Sequence, residues 1–225
     1  MAGAYSQNAV TFNTTAGNKT CTFTPAVNSI IVVCFGASGS SLPPTGVITD
    51  DKGGNYTTVA TFSYNGSVHY GAIAVRESRI NVASAHIFTL TQTGDTGGGL
   101  NVFEFTGITR AGTTAIRQFA TQSNQAAGVP APAFTNACLT TSCLVGMVMN
   151  LTNPATMTAP TSSTERQDVG YSVPTIGLET ITRDSGFTGT AVTWGSSSAT
   201  AFGSAVIELD STAIGVSGSR RRVWS

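Results

Sequence analysis

Charge is the scarcest property of this chain. Of its 225 residues, 11 are Lys or Arg and 11 are Asp or Glu, 10% of the total with a formal net charge of zero, against roughly 25% in an average globular domain. So sparse and balanced a charge excludes a coiled coil, a disordered acidic or basic chain and a general nucleic-acid binder, whose affinity comes from many phosphate contacts. Histidine is scarcer still. His69 and His86 are the only two, both far from the four cysteines, and Cys21, Cys34, Cys138 and Cys143 show no CxxC spacing, so neither zinc nor any other metal or cofactor is expected. Spacing leaves open whether Cys21 pairs with Cys34 or Cys138 with Cys143; Cys34, inside an apolar run, reads as a small buried hydrophobe. The longest apolar stretch, Ile30 to Phe35, is far short of the roughly 20 residues of a membrane-spanning helix. The N-terminus has neither the basic nor the apolar region of a secretory signal. A soluble chain made in the cytoplasm, with no membrane partner, is the expectation. No GxSxG and no phosphate loop occurs, and neither histidine lies in an acid-rich loop, so the sequence points away from an enzyme.

What is abundant is Thr, Ser and Gly, at 36, 23 and 25 residues. No segment sustains a 3.6-residue apolar period. Short β-branched runs bounded by Gly, Pro, Asn and Ser predict strands near 9–13, 20–24, 29–37, 56–64, 68–76, 84–91, 100–106, 115–121, 142–150, 164–170, 175–183, 188–194 and 201–209. Gly97-Gly98-Gly99 and Pro130-Ala131-Pro132 read as turns and loops, and Asn65-Gly66 as a two-residue hairpin turn, since both residues tolerate positive φ.

The two halves of the chain also resemble one another in order. SIIVVCFGA (29–37) matches SCLVGMVMN (142–150), YGAIAVRES (70–78) matches IGLETITRDS (176–185), and VFEF (102–105) matches VIEL (206–209). Each half would supply four or five antiparallel strands with an apolar face that only the other half can cover. The predicted fold is all-β: an antiparallel double-sheet β-sandwich of jelly-roll type built from two degenerate Greek-key halves. The predicted organisation is an arm over 1–19, one domain over 20–209 (halves 20–109 and 136–209, crossing segment 110–135) and a tail over 210–225.

Three groups of residues are candidates for chemistry or binding. Glu104 and Glu208 stand between bulky apolar neighbours, and strand alternation turns them away from those neighbours, toward solvent or another subunit. Asp50-Asp51-Lys52-Gly53-Gly54-Asn55 offers hard oxygen ligands of the kind calcium prefers, but its spacing fits no EF-hand loop and a strand-joining turn explains the same letters. The tail closes with Arg220-Arg221-Arg222-Val223-Trp224-Ser225. Without its three arginines the body has 8 basic against 11 acidic residues, so the tail is a basic hook with one aromatic. Arg and Trp are residue types that anchor interfaces, and Arg220, Arg221, Arg222, Val223 and Trp224 are the predicted partner-binding residues, facing an acidic partner surface or a neighbouring subunit.

With TDDKGGNYTTVATF (49–62) and VFEFTGI (102–108) added to the two apolar strands SIIVVCFGA and SCLVGMVMN, the chain resembles a family of β-sandwich proteins of bacteriophage virions and related bacterial sequences. The resemblance covers roughly residues 20–209 and brings no catalytic residues with it. It implies a virion location and a viral structural role, above all a capsid decoration (cement) protein bound to the major capsid protein or another virion protein, as a homo-oligomer with a trimer as the expected form. The rival expectation is a carbohydrate- or receptor-binding module of a tail fibre, for which Tyr64, Tyr70, Tyr171 and Trp194 would be the sugar-stacking aromatics.

Overall fold

Two stretches, Ile30–Ser38 and Cys143–Asn150, are buried at every position, as happens when a strand is covered on both faces. The computed structural model, which describes residues 3–15, 17–39, 47–92 and 96–210, explains how. Its strands are β1 (Ala4–Asn13), β2 (Lys19–Phe23), β3 (Ile30–Ser38), β4 (Ile48–Asp50), β5 (Tyr56–Tyr64), β6 (His69–Arg76), β7 (His86–Leu90), β8 (Gly97–Thr106), β9 (Ile116–Gln125), β10 (Cys143–Asn150), β11 (Thr164–Ser172), β12 (Thr175–Arg183) and β13 (Phe202–Leu209). Among the described residues the sole helical element is a 3-10 turn at Gly112–Ala115. The strands form three antiparallel sheets packed as a β-sandwich: β1-β8-β3-β6-β5, β11-β12-β10-β13-β9, and the smaller β2-β7-β4. Residues 1–19 thus contain an edge strand of one large sheet, and 110–135 contain an edge strand of the other.

The two large sheets are copies of one arrangement. Ile31 of β3 stands opposite Glu104 of β8, and Leu144 of β10 opposite Glu208 of β13. Val33 faces Ala74 of β6, and Gly146 faces Ile181 of β12. These pairings reproduce the three sequence matches in register. They extend to the edges, where Gln7 of β1 faces Glu104 as Gln118 of β9 faces Glu208. Even the bulges recur, at Ser6 and Arg117 on one edge strand of each sheet and at Val59 and Arg166 on the other.

Facing sides of the two sheets make the shared core: Ile30, Val32, Phe103 and Phe105 from one, Val145, Met147, Leu178 and Ile207 from the other. Alternation sends the intervening residues outward. In the first sheet Ile31, Val33 and Val102 pack on Phe88 and Leu90 of the three-stranded sheet; in the second, Leu144, Val148 and Val206 pack on Phe134, Met157, Val192 and Trp194 of long connecting segments. The molecule therefore has a cover beyond each large sheet, which corrects one expectation: Glu104 and Glu208 do point away from the shared core, yet both are fully buried, because the faces they occupy are covered. Alternation also settles the cysteines. Cys34 and Cys143 lie in the shared core while Cys21 and Cys138 lie in the outer clusters, so a sheet separates the members of each candidate pair; all four are free and buried.

Other differences have equally local causes. Residues 188–194 form no strand. They run beside 130–134, with the N–H groups of Phe134, Val192 and Trp194 donating to Thr190, Pro132 and Pro130, but Pro130 and Pro132 have no N–H with which to complete a ladder. Gly97-Gly98-Gly99 is no turn; it opens β8, where a Cβ on Gly99 would stand 2.0 Å from the Thr11 carbonyl oxygen and one on Gly98 2.5 Å from that of Gly36. The β5–β6 connection is four residues long, with Asn65, Gly66 and Ser67 all at positive φ (54°, 66° and 67°).

Candidate functional site

Each outward glutamate anchors an equivalent polar knot. Glu104 accepts from Gln7 Nε2 at 2.7 Å and from the Ala26 N–H. Glu208 accepts from Gln118 Nε2 at 2.6 Å, the Leu139 N–H at 2.8 Å and Arg117 at 2.7 Å. The third donor exists because the β9 bulge, between the pairs Gln118–Glu208 and Ile116–Leu209, carries Arg117 where the matching β1 bulge carries Ser6, so successive side chains reach one carboxylate. Burial alone would raise the Glu208 carboxyl, but the Leu139 N–H, Arg117, Ser142 and Gln118 outweigh it and hold the group below the ordinary carboxylate range. These are structural knots: every carboxylate oxygen is engaged.

The Asp50 segment is a turn with its charge consumed internally. Asp50 accepts from the N–H groups of Lys52 and Gly54, from Tyr56 and from Arg76 Nε, each at 2.9 Å, and the Asp50 and Arg76 side chains are 0% and 4% exposed. Although burial opposes ionisation, the Gly54 N–H, Arg76 and Tyr56 hold the carboxyl below its usual range. A Cβ on Gly54 would fall 2.1 Å from Asp50 Oδ2, so the second glycine of the pair is what lets the chain close on the carboxylate. Among the described residues no group of three or more His, Cys, Asp and Glu could hold a metal ion, and no helix is long and apolar enough to cross a membrane.

The aromatics nominated for sugar stacking are all interior: Tyr64, Tyr70, Tyr171 and Trp194 are 0%, 0%, 5% and 2% exposed. Tyr64 and Tyr171 belong to the shared core, Tyr70 to the cluster under the three-stranded sheet and Trp194 to the cover of the second sheet. The residues Arg220, Arg221, Arg222, Val223 and Trp224 lie outside the described residues.

A surface that sequence reasoning did not single out lies where edge strands of the two large sheets meet. At one seam, β1 against β11, Arg166 stacks over Tyr5 at 3.5 Å from the ring centroid and donates to Thr182 at 2.6 Å, while Asn8 bonds both Tyr5 and Asn101, which in turn donates to Thr180 across the core. That seam is closed. At the equivalent seam, β5 against β9, the matching positions are Val59, Ile116 and Phe119. Here a groove of about 540 Å³ lies open between Thr57–Val59 and Ile116–Phe119. Phe119 is 54% exposed although it stands opposite Ile207 on the core-facing side of its sheet. Hydrogen bonds from the Ser63 N–H to Ser123 and from the Ser67 N–H to Asn124 fix one end of the seam. The signal that could have found it is the repeat itself: aligning Gln7-Asn8 with Gln118-Phe119 sets a polar residue against a phenylalanine at the same edge position.

Comparison with family models, with curated proteins and with solved structures finds no match for this chain.

Proposed function

We propose that this protein is a non-enzymatic virion structural protein, a capsid decoration protein that attaches to the outer capsid surface through the β5–β9 seam and the basic-aromatic tail. The resemblance of the strand and turn segments to virion β-sandwich proteins supports the virion setting. The observation that carries the attachment is the uncovered seam: an apolar, half-exposed Phe119 stands where the repeat's other copy is sealed by its own side chains. Buried carboxylates partnered within the body, as at Asp50, Glu104 and Glu208, suit a stiff element that stabilises an assembly by binding only its assembled state. The alternation of β1 to β5, and again of β6 to β8, between the first large sheet and its three-stranded cover supports the jelly-roll reading of that half. The tail-fibre alternative is the weaker one, since the four aromatics it requires are interior.

Attachment is tested with purified protein and intact capsids. Phe119→Ser should lower occupancy at least tenfold while shifting Tm by no more than about 2 °C, as a surface substitution does. Deleting residues 220–225 should weaken binding more than it lowers Tm. Full occupancy by both variants would overturn the proposal, and binding by wild type to glycan arrays in place of capsids would favour the tail-fibre reading. Sedimentation of the free protein tests the proposed trimer.

A further inference from the structure

One carboxylate in the body is set apart from the others. Glu179, in the middle of β12, is fully buried on the outward face of the second large sheet. Its Oε1 accepts the indole N–H of Trp194 at 2.8 Å, and the Met157 N–H adds a backbone donor. Oε2 has no hydrogen-bond partner. Where Glu208 receives a guanidinium and Asp50 another, Glu179 has none.

The charged groups around it are all accounted for. From β11, Asp168 stands directly opposite across the ladder and caps the Thr156 N–H, and Glu165 lies further along, exposed. On its own strand, Arg183 is directed to the carbonyl oxygens of Thr161, Ser185 and Gly186. The opposing residue of β10 is Val148, and the covering segments contribute Met157 and Trp194, neither of which titrates. Glu179 is thus an acid with two acidic neighbours and two neutral donors. Burial, and then Glu165 and Asp168, push its carboxyl up to about 7 against the lowering effect of the Trp194 and Met157 donors. In that range the neutral form costs one unsatisfied O–H, whereas the ionised form buries a charge with a free oxygen, the more expensive of the two.

Trp194 and Met157 are also part of the cover. They belong to the segments that seal the outer face of the second sheet together with Val192 and Phe134. These segments are tied to one another by backbone bonds, among them Trp194 N–H to the Pro130 carbonyl at 2.9 Å and Gly195 N–H to the Thr158 carbonyl at 2.8 Å, and the Trp194 indole ties them to the sheet at Glu179.

We propose that Glu179 beneath Trp194 is a proton-operated latch: with Glu179 neutral the cover of the second sheet lies closed on it, and loss of the proton leaves an uncompensated charge under the cover and loosens it so that water reaches the carboxylate. The device is independent of what the protein attaches to. It gives the second half of the molecule a conformational response to pH.

The test uses the full chain with Trp224→Phe, leaving Trp194 as the sole tryptophan, and follows acrylamide quenching and emission wavelength from pH 5 to pH 9. The expected result is a several-fold rise in the quenching constant with a red shift, centred near neutral pH, and its disappearance in Glu179→Gln, which stays in the weakly quenched state throughout. Glu165→Gln, an exposed change, should move the midpoint to lower pH because a repelling charge is gone. A flat wild-type profile, or a transition that survives in Glu179→Gln, overturns the proposal. Should Glu179→Gln fail to fold, the Glu165→Gln midpoint decides: a downward move supports the latch and an unmoved midpoint overturns it.

Discussion

The two halves carry the same five strands in the same register, yet one half covers its outer face with a regular sheet and the other with irregular segments. Where the halves face each other their residues are interchangeable in kind: Val32 and Val145, Cys34 and Met147, Phe105 and Leu209. Away from that contact they diverge. Ala72 of the first half, lying under strands β2, β4 and β7, corresponds to Glu179 of the second, lying under Trp194. Asn8, engaged in hydrogen bonds, corresponds to the half-exposed Phe119. The lesson is that mutual shielding fixes the inner faces, whereas each outer face and each seam is free to acquire its own chemistry.

The contrast can be broken at several points. The largest effect belongs to the shared core: Phe103→Ala should cost about 3–5 kcal/mol and lower the urea midpoint of both halves together. Next is the buried ion pair. Arg76→Met leaves Asp50 without its guanidinium and should cost about 3 kcal/mol, while Arg183→Met, at the equivalent position but bonded to surface carbonyls, should cost less than about 1 kcal/mol; equal losses would mean that the outer faces have not diverged as described.

Glu208 and Glu179, on one sheet, should respond to pH with opposite sign. The Glu208 carboxyl is lowered in the folded protein, so its contribution is full above the unfolded value of about 4.5 and is lost as pH falls below it through the folded value. Glu208→Gln should therefore flatten the acid limb of the stability curve, at a cost near neutral pH of about 1–2 kcal/mol. The Glu179 carboxyl is raised to about 7, so stability should decline as pH rises from about 4.5 to 7, by at most ~3 kcal/mol; denaturant titration of wild type and Glu179→Gln across that window reads the difference. The smallest effect is at the closed seam, where Arg166→Ala should cost about 0.5–1 kcal/mol and increase the exposure of Tyr5, measurable as a change in tyrosine fluorescence.

Much of the architecture was legible in the letters because it rests on local pattern. SIIVVCFGA and SCLVGMVMN announce central strands, and the VFEF and VIEL match places Glu104 and Glu208 at one register position. What pattern could not supply was the layer beyond. β4 is three residues long, and the segment around Trp194 mimics a strand in composition while Pro130 and Pro132 deny it a ladder. Pattern alone therefore turns Glu104 and Glu208 toward solvent or another subunit: alternation gives the direction of a side chain and says nothing of what lies there. The same limit hid the candidate surface. Phe119 was visible only as one apolar letter in Ala115-Ile116-Arg117-Gln118-Phe119, and its exposure depends on Val59 and Ile116 standing where the other seam has Arg166 and Tyr5. The tail residues Arg220 to Trp224, conspicuous in the sequence, lie outside what the structure describes.

Mutual shielding of the two halves is measured most directly by native-state hydrogen exchange in increasing urea, comparing amides of Val32–Phe35 in the first half with those of Val145–Val148 in the second. If each half is the cover of the other, both sets must merge onto one unfolding isotherm with one free energy and one urea slope, since opening either half strips the shared core from the other and leaves it only its outer cluster. Two isotherms of different free energy, with one half protected after the other has opened, would contradict the account.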